Sequence, residues 1–522
     1  MTAIKKEQYV ARLCTFPFRS RWACCLTALL LGALTTLTFA PFGLWWLAPL
    51  LCAPLFGLLR GTTVKRGMLL GYCYGFGLFA SGASWVYVSI HDIGGSPMPL
   101  ALVMTALFVA GLALFYLIVA AFYRLLSPRV SCLEPLTFAA AWTLGEVFRG
   151  WFLTGFPWLL LGTSQVEGPL AGYAPLGGVF LISFIIALSG ALLWQLFTRR
   201  RYWLALPLIA LWVVGLVLPA RWLDAEPRAL SVALVQGDLP QTMKWSIGGV
   251  QNAVNRYLDL TREQASDAEL VVWPEVALPM TEDDARSIFA TAQSTMRPHS
   301  TLISGILTRQ ATGTFNSAVA YDQSAPQGML RTEYAKHRLV PFGEYVPLPG
   351  LLQPIIQLLG LPAPYVIQGP ANQQPLQADA LRIGMAICYE IAYPDLVRDQ
   401  ARRSNVLMTI SNDSWFGHSI GPLQHMQMAQ MRALENNRYL LRDTSNGWTG
   451  VIGPDGKLIS DIPRFEPGVL HAQIHPMQGE TLFTRTGSLP IILFSIVLAA
   501  AGAVASRRRS RSEQAPQDKV AS

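Results

Sequence analysis

Seven stretches of this 522-residue chain run without one charged residue: 23–40, 44–59, 68–90, 100–123, 169–197, 202–220 and 487–506. A bilayer core about 30 Å thick takes about 20 apolar helical residues, within a range of roughly 17 to 25. The runs therefore dictate a polytopic helical membrane protein. An eighth stretch, 133–148, holds Glu134 and Glu146, and orientation decides it. Cytoplasmic loops collect Lys and Arg, and the basic residues cluster beside the runs: Lys5, Lys6, Arg12, Arg19 and Arg21; Arg60, Lys65 and Arg66; Arg124 and Arg129; Arg199, Arg200 and Arg201; Arg507, Arg508, Arg509 and Arg511. Eight spans with the amino terminus inside put every cluster on the cytoplasmic side and leave the outer turns 41–43 and 91–99 without Lys or Arg. Seven spans would misplace the 199–201 cluster or the last one. Pro41 directly after Ala40 makes a poor cleavage junction, so the first span reads as an uncleaved anchor rather than a signal peptide.

That clustering also disposes of nucleic acid as the meaning of the net charge of +8, which is a topological signal. Only 14% of residues are charged against about 25% in soluble proteins, yet from 221 onward charges, Asn, Gln and Asp return. The expected order is a cytoplasmic amino terminus (1–22), seven transmembrane helices (23–220), one outer domain (221–486), an eighth transmembrane helix (487–506) and a cytoplasmic basic tail (507–522). An outer domain of roughly 265 residues is large enough to bury its own core.

Inside it, short apolar runs at Leu230–Gln236, Leu270–Trp273, 302–307, 317–321, Leu381–Ile387, Val406–Ser411 and 439–443 alternate with amphipathic stretches at 250–264, 394–403 and 422–436. Strands apolar at successive positions and separated by helices predict an α/β sheet covered on both faces. Six of the seven cysteines (Cys14, Cys24, Cys25, Cys52, Cys73 and Cys132) fall in or near the membrane part, leaving Cys388 alone in the outer domain. A small buried hydrophobe is the plain alternative for a lone cysteine. Its position argues otherwise: it ends an apolar strand just before a turn, where a nucleophile is presented and the next backbone N–H groups can face a developing oxyanion. A thiol of ordinary pKa, about 8.5, still needs a base or a cation. Glu275 follows a strand and Pro274 in the same way. Lys336 and Glu344 lie in a loop stiffened by Pro341 and Gly343. Singly each reads as a solvated charge; three strand ends on one sheet edge would converge.

Together, Trp273-Pro274-Glu275, Lys336 before Leu339-Val340-Pro341-Phe342-Gly343-Glu344, and Ile387-Cys388-Tyr389-Glu390 resemble the Glu-Lys-Cys arrangement of the nitrilase superfamily. With eight spans, and with GASWVYVSI (82–90), LTGFPWL (153–159), VQGD (235–238), SNDSWFG (411–417) and GPLQHMQMAQMRAL (421–434), the whole chain resembles the bacterial apolipoprotein N-acyltransferases of the inner membrane. The resemblance implies a polytopic eight-span α-helical membrane domain carrying a periplasmic α/β nitrilase-like αββα sandwich. It implies Glu275 as base, Lys336 as oxyanion stabiliser and Cys388 as acyl-bearing nucleophile, supported by Glu344, Tyr389 and Glu390. Trp245 and Trp415 become candidate substrate-binding residues, with a surface aromatic packed on a loop as the alternative for Trp245. The implied partners are a phospholipid acyl donor, a diacylglyceryl-modified apolipoprotein and membrane lipids, with a monomer favoured and both termini cytoplasmic. Trp448 departs from the family by its bulk, which bears on substrate fit.

Two other readings compete: a membrane-tethered nitrilase-type amidase for a small substrate, and a transporter with an accessory domain. The first needs no eight-span domain, and the second finds no inverted repeat or paired broken helices. Five histidines (His337, His418, His425, His471 and His475) leave a Cys-His dyad open. No H-E-x-x-H or paired-cysteine spacing and no Gly-rich phosphate loop occurs, so no metal or cofactor is expected. Trp151, Phe152, Phe156 and Trp158 read as an interfacial aromatic belt or an acyl-chain guide. Glu146 and Arg149 read either as a functional intramembrane pair or as a helix-holding ion pair.

Overall fold

The apolar runs are helices. The computed structural model describes residues 20–127, 133–239, 246–323, 330–350, 353–354 and 366–514, and the chain divides into two units. The first comprises Met1–His91, Gly95–Pro219 and Ser488–Ser522. Its helices are α1 (Arg21–Thr35), α2 (Leu47–Leu59), α3 (Val64–Gly82), α4 (Met98–Leu126), α5 (Glu134–Trp151), α6 (Ala174–Arg199) and α7 (Ala205–Val217), joined late in the chain by α12 (Leu489–Gln514). Among the described residues, four segments are long and apolar enough to cross a membrane: Arg21–Thr38, Met98–Leu126, Pro169–Thr198 and Leu489–Ser506. Leu47–Leu59 and Tyr202–Val217 are apolar but shorter. Length and composition thus bear out four of the eight expected spans, and the other helices do not meet that standard.

Packing in this unit depends on small residues, as it must where lipid offers no hydrophobic drive between helices. A Cβ on Gly32 would lie 1.9 Å from the Tyr74 carbonyl oxygen, so only glycine lets α1 and α3 approach so closely. The carboxylates that made 133–148 look unlike a span are partnered inside the unit. Glu134 accepts from Arg60 Nε at 2.8 Å and from Tyr123 Oη at 3.1 Å. Glu146 accepts from the Trp142 indole at 3.1 Å and from the Leu161 N–H at 2.8 Å. Arg149 donates to the carbonyls of Phe156 and Trp158. Both Glu146 and Arg149 therefore hold the backbone of 156–161.

The second unit, Asp92–Gly94 with Ala220–Gly487, is built on two six-stranded sheets. One has the order β12-β1-β2-β3-β4-β5, with β1 (Leu230–Gln236), β2 (Leu270–Trp273), β3 (Thr301–Gln310), β4 (Gly313–Asp322), β5 (Leu330–Ala335) and β12 (Gly468–Ile474). The other runs β11-β10-β9-β8-β7-β6, with β6 (Leu376–Ala378), β7 (Leu381–Ile387), β8 (Val406–Ser411), β9 (Leu440–Thr444), β10 (Thr449–Ile452) and β11 (Leu458–Ile462). The central triplets β1-β2-β3 and β7-β8-β9 are parallel.

Strand periodicity makes the layers. Val232, Leu234, Val272, Ile303 and Tyr334 meet Ile383, Met385, Ile387, Met408 and Ile410 in one core between the sheets. The alternate residues Ala233, Val235, Val271 and Trp273 pack under α8 (Ile247–Leu260) and α9 (Glu282–Thr295). On the far side Ala386, Leu407, Leu440 and Ile452 pack under α10 (Pro394–Ala401) and α11 (Gly421–Asn436). Both faces of each sheet are covered, as strands apolar at successive positions require. The result is a helix-sheet-sheet-helix sandwich.

Candidate active site

Ligand sites in parallel sheets gather beyond the carboxyl ends of the strands, and the candidate residues follow that rule. Glu275 stands two residues past β2 and Lys336 one past β5. Strand β5 is two antiparallel steps from β3 and so points the same way. Cys388 directly follows β7, which belongs to the facing sheet. The sequence reading of three strand ends on one sheet edge is corrected here: two ends lie on one sheet and the third on the other, and the site sits across the sandwich.

Glu275 is held from three sides. Its Oε1 accepts from Asn316 Nδ2 at 2.8 Å and from Lys336 Nζ at 3.0 Å, and its Oε2 accepts from the Asn412 N–H at 2.8 Å. Gly305 makes room for it, because a Cβ there would lie 2.5 Å from the Pro274 carbonyl oxygen. Lys336, only 1% exposed, also donates to Glu344 Oε1 at 2.9 Å. Its backbone is anchored by Asn316 O and Gly369 N, each at 2.8 Å. Glu344 accepts from the Val340 N–H through its other oxygen at 2.8 Å. Lys336 is thus clamped between two carboxylates on a fixed backbone.

Electrostatics follow from this geometry. Burial opposes the charge on Glu275, but Lys336 and the three hydrogen bonds outweigh it and hold the carboxyl below its usual range. Burial likewise opposes the ammonium of Lys336, and Glu275 and Glu344 overcome it, raising its pKa. Burial first, then the Glu275 charge, push the Cys388 thiol up while Lys336 pulls against them. Cys388 is therefore a neutral thiol at rest, close enough to both partners for their charges to act on it.

Cys388 adopts φ +52°, a conformation that costs an L-residue about 1–2 kcal/mol. Glu390 supports the turn. Its carboxylate accepts from the Ile387 N–H at 2.7 Å, from the His337 and Arg338 N–H groups at 2.7 and 2.9 Å, and from Tyr334 Oη at 3.1 Å. One buried side chain thereby ties the nucleophile turn to the loop that carries Lys336, and burial pushes its pKa up to about 7 in spite of those donors. Every group around it is a donor, so the amide NH₂ of a glutamine would face donors and leave buried N–H groups unpaired. Glu390→Gln is expected to cost about 1–3 kcal/mol of stability, read as a lowered unfolding midpoint. A midpoint equal to that of the wild type would refute this account of the turn.

Of the supporting residues, Tyr389 is buried with its ring edge-on to Tyr393 at a 5.3 Å centroid distance. Trp415, on the turn Asp413–Phe416 after β8, is 44% exposed. Trp245 lies outside the described residues. Trp448 packs on the core beneath α10 and α11 and donates its indole N–H to Asp461 at 2.8 Å, which accounts for its bulk through packing. Sequence reasoning missed Asn316, which joins Glu275 to Glu344. Its signal was a lone carboxamide inside an otherwise buried strand. The Asn412 N–H left no signal, since any residue but proline supplies one.

Comparison with known proteins agrees with this division of the chain. The apolipoprotein N-acyltransferase N-terminal domain model matches residues 31–192, and the carbon-nitrogen hydrolase model matches residues 231–481. An apolipoprotein N-acyltransferase of Azotobacter vinelandii is 43% identical over 507 residues, covering 95% of this chain and 98% of its own. One from Pseudomonas aeruginosa is 43% identical over 488 residues, 91% of this chain and 94% of its own. Among solved structures, a CN-hydrolase superfamily protein of Xanthomonas campestris with an arsenic adduct in its active site covers 51% of this chain and 97% of its own, at 18% identity and a TM-score of 0.36. Identity of 43% sustained across nearly the full length of both chains decides the relationship: this chain belongs to the apolipoprotein N-acyltransferase family.

Proposed function

We propose that this chain moves an acyl group from a phospholipid, through a thioester on Cys388, to the α-amino group of the amino-terminal diacylglyceryl-cysteine of a lipoprotein. The observation that carries the reading is the buried Glu275-Lys336-Glu344 clamp, tied through Glu390 to a cysteine held at a left-handed turn. Glu275 takes the thiol proton as the sulfur attacks the ester carbonyl. The oxyanion that forms is stabilised by the Lys336 ammonium and the backbone N–H of Tyr389. Glu275 then gives that proton to the leaving oxygen as the carbon–oxygen bond breaks, so the lysophospholipid departs as an alcohol and the carboxylate is regenerated. The lipoprotein amine next attacks the thioester, Glu275 receives the ammonium proton, and the carbon–sulfur bond breaks. Protonation of the departing thiolate returns the enzyme to its starting state. A thioester suits an amine acceptor, and water must be kept from it meanwhile.

For the membrane part, the reading is eight spans with both termini cytoplasmic and 221–486 in the periplasm, in the inner membrane. It is supported by the distribution of Lys and Arg and by the internal partners of Glu134 and Glu146. The test is the intact mass of the full-length protein after exposure to phospholipid without an acceptor. One hydroxylamine-labile acyl mass should appear and should vanish when a diacylated lipopeptide is added. A protein that takes no acyl group, or one that hydrolyses a small amide instead, sinks the proposal.

A further inference from the structure

Behind the nucleophile turn lies a buried ionic cluster that the steps above do not use. Asp413, on the turn after β8, accepts from Arg442 Nη2 and from Ser411 Oγ, both at 2.6 Å. The side chains of Asp413, Arg442 and His425 are fully buried. The fit is tight: a Cβ on Gly447 would lie 2.2 Å from Asp413 Oδ2. His425, on α11, places Nδ1 at 3.2 Å from Arg442 Nη2 and at 3.3 Å from Asp413 Oδ1. Its Nε2 stands 3.0 Å from the carbonyl oxygen of Cys388. The contact between the only histidine described at the turn and Cys388 thus runs through the peptide oxygen, a geometry different from a Cys-His dyad.

A carbonyl can only accept, so Nε2 carries the proton and donates it. Burial and the neighbouring Arg442 hold the imidazole below its usual pKa, and the neutral ring then offers Nδ1 as an acceptor to Arg442. Arg442 on one side and the Cys388 carbonyl on the other thus specify one tautomer and one ring orientation.

Peptide geometry carries the effect to the reaction. The C=O and N–H of a trans peptide point in opposite directions within one rigid plane. Fixing the Cys388 carbonyl therefore fixes the direction of the Tyr389 N–H. At φ +52° the turn is a conformation that persists only when its surroundings over-determine it. We infer that His425, held by Arg442, which Asp413 holds in turn, is a positioning residue that aims the Tyr389 N–H at the oxyanion formed during acyl transfer. The inference rests on the acyl-enzyme reading of Cys388.

The test compares two reactions of the same thiol in the full-length protein. Acylation by phospholipid passes through an oxyanion. Alkylation by iodoacetamide forms an S–C bond with loss of iodide and forms none. His425→Met should slow acylation by about 10- to 100-fold, the range for outer-shell groups that orient a working one, and leave alkylation within about threefold of wild type. His425→Asn keeps an acceptor for Arg442 but falls a methylene short of the Cys388 carbonyl, so it should repeat the loss and keep the experiment decisive if the methionine variant misfolds. His425→Gln carries an amide N–H to the imidazole's reach and should restore most of the rate. Acylation unchanged in the methionine and asparagine variants overturns the inference. So does alkylation that falls in step with acylation, which would mean a collapsed turn. A wild-type protein that takes no acyl group overturns the functional reading itself, and the two failures are thereby separated.

Discussion

Cys388→Ser is expected to lower acyl transfer by on the order of a thousandfold or more while leaving the fold unchanged. The argument is one of proton affinity. A thiol starts from a pKa of about 8.5, and although burial lifts it here, an alcohol in the same place starts several units higher, near water. Glu275 is a weak base to begin with, because Lys336 and its hydrogen bonds hold it below the usual carboxylate range. It can receive a proton from sulfur as the attack proceeds, but from serine the transfer is steeply uphill. The substitution replaces sulfur by oxygen in a half-buried position and removes no packing group of consequence. The unfolding midpoint should therefore match that of the wild type. The measurement is the rate of transfer from labelled phospholipid to a diacylated lipopeptide, together with the hydroxylamine sensitivity of any acyl-protein. A serine variant that retains a tenth of the wild-type rate would mean that the thiol is not the nucleophile.

The residues that could be read from sequence were those at the ends of long apolar strands. Leu270–Trp273 is buried throughout and Leu381–Ile387 at every residue but Arg382, so their apolar runs were plain and the ionisable residue just beyond each stood out. What the runs did not carry was partnership between sheets. Nothing in the sequence around Glu275 or Cys388 says that they belong to different sheets, because the pairing is set by non-local contacts in the core between them. The strands Thr449–Ile452 and Leu458–Ile462 escaped for a different reason. They are short, and the second alternates between half-buried and exposed residues, so no apolar run marks it. The helix Glu282–Thr295 opens with Glu282, Asp283 and Asp284, which favour a helix amino terminus but read as a solvated loop when apolar runs are the guide. Its buried face uses Ala285, Phe289 and Ala292, mostly small side chains that mark the stripe weakly. In the membrane unit, counting uncharged residues located the helices better than it measured them. Leu47–Leu59 is only 13 residues long and contains Pro54. Its shortness is one reason why length and composition support four spans rather than eight.

Lys336→Met is expected to remove about 100- to 1000-fold of the rate, the usual loss when an oxyanion donor is deleted, and to enlarge the gain of stability in mild acid. In the wild type the folded pKa of Glu275 lies below its ordinary value of 4.5. Its contribution to stability is therefore complete above about pH 4.5 and is lost as pH falls through the folded pKa. That of Lys336, raised above 10.5, is complete below about pH 10.5 and disappears only as pH rises through its folded value. Between those limits the buried clamp is intact and adds no pH dependence of its own, whereas Glu390, raised to about 7, stabilises wild type and variant alike as pH falls towards 4.5. Without the ammonium, Glu275 and Glu344 are left hydrogen-bonded to the same Asn316 Nδ2, at 2.8 and 3.0 Å, with no cation between them. Two carboxylates so placed do not both stay ionised at little cost, and removing one partner of a buried ion pair typically costs about 3–5 kcal/mol. Binding one shared proton recovers part of that loss, so the variant should gain more stability than the wild type as pH falls from about 7 to about 5. Lys336→Arg should not restore activity, because a planar guanidinium fork does not fit a slot shaped for a point charge 2.9 and 3.0 Å from two carboxylates. Thermal unfolding of the three proteins across that pH range, paired with transfer rates, checks both halves. A methionine variant whose midpoint follows the wild type's pH dependence, or an arginine variant that is active, would show that Lys336 is not the charge that organises this site.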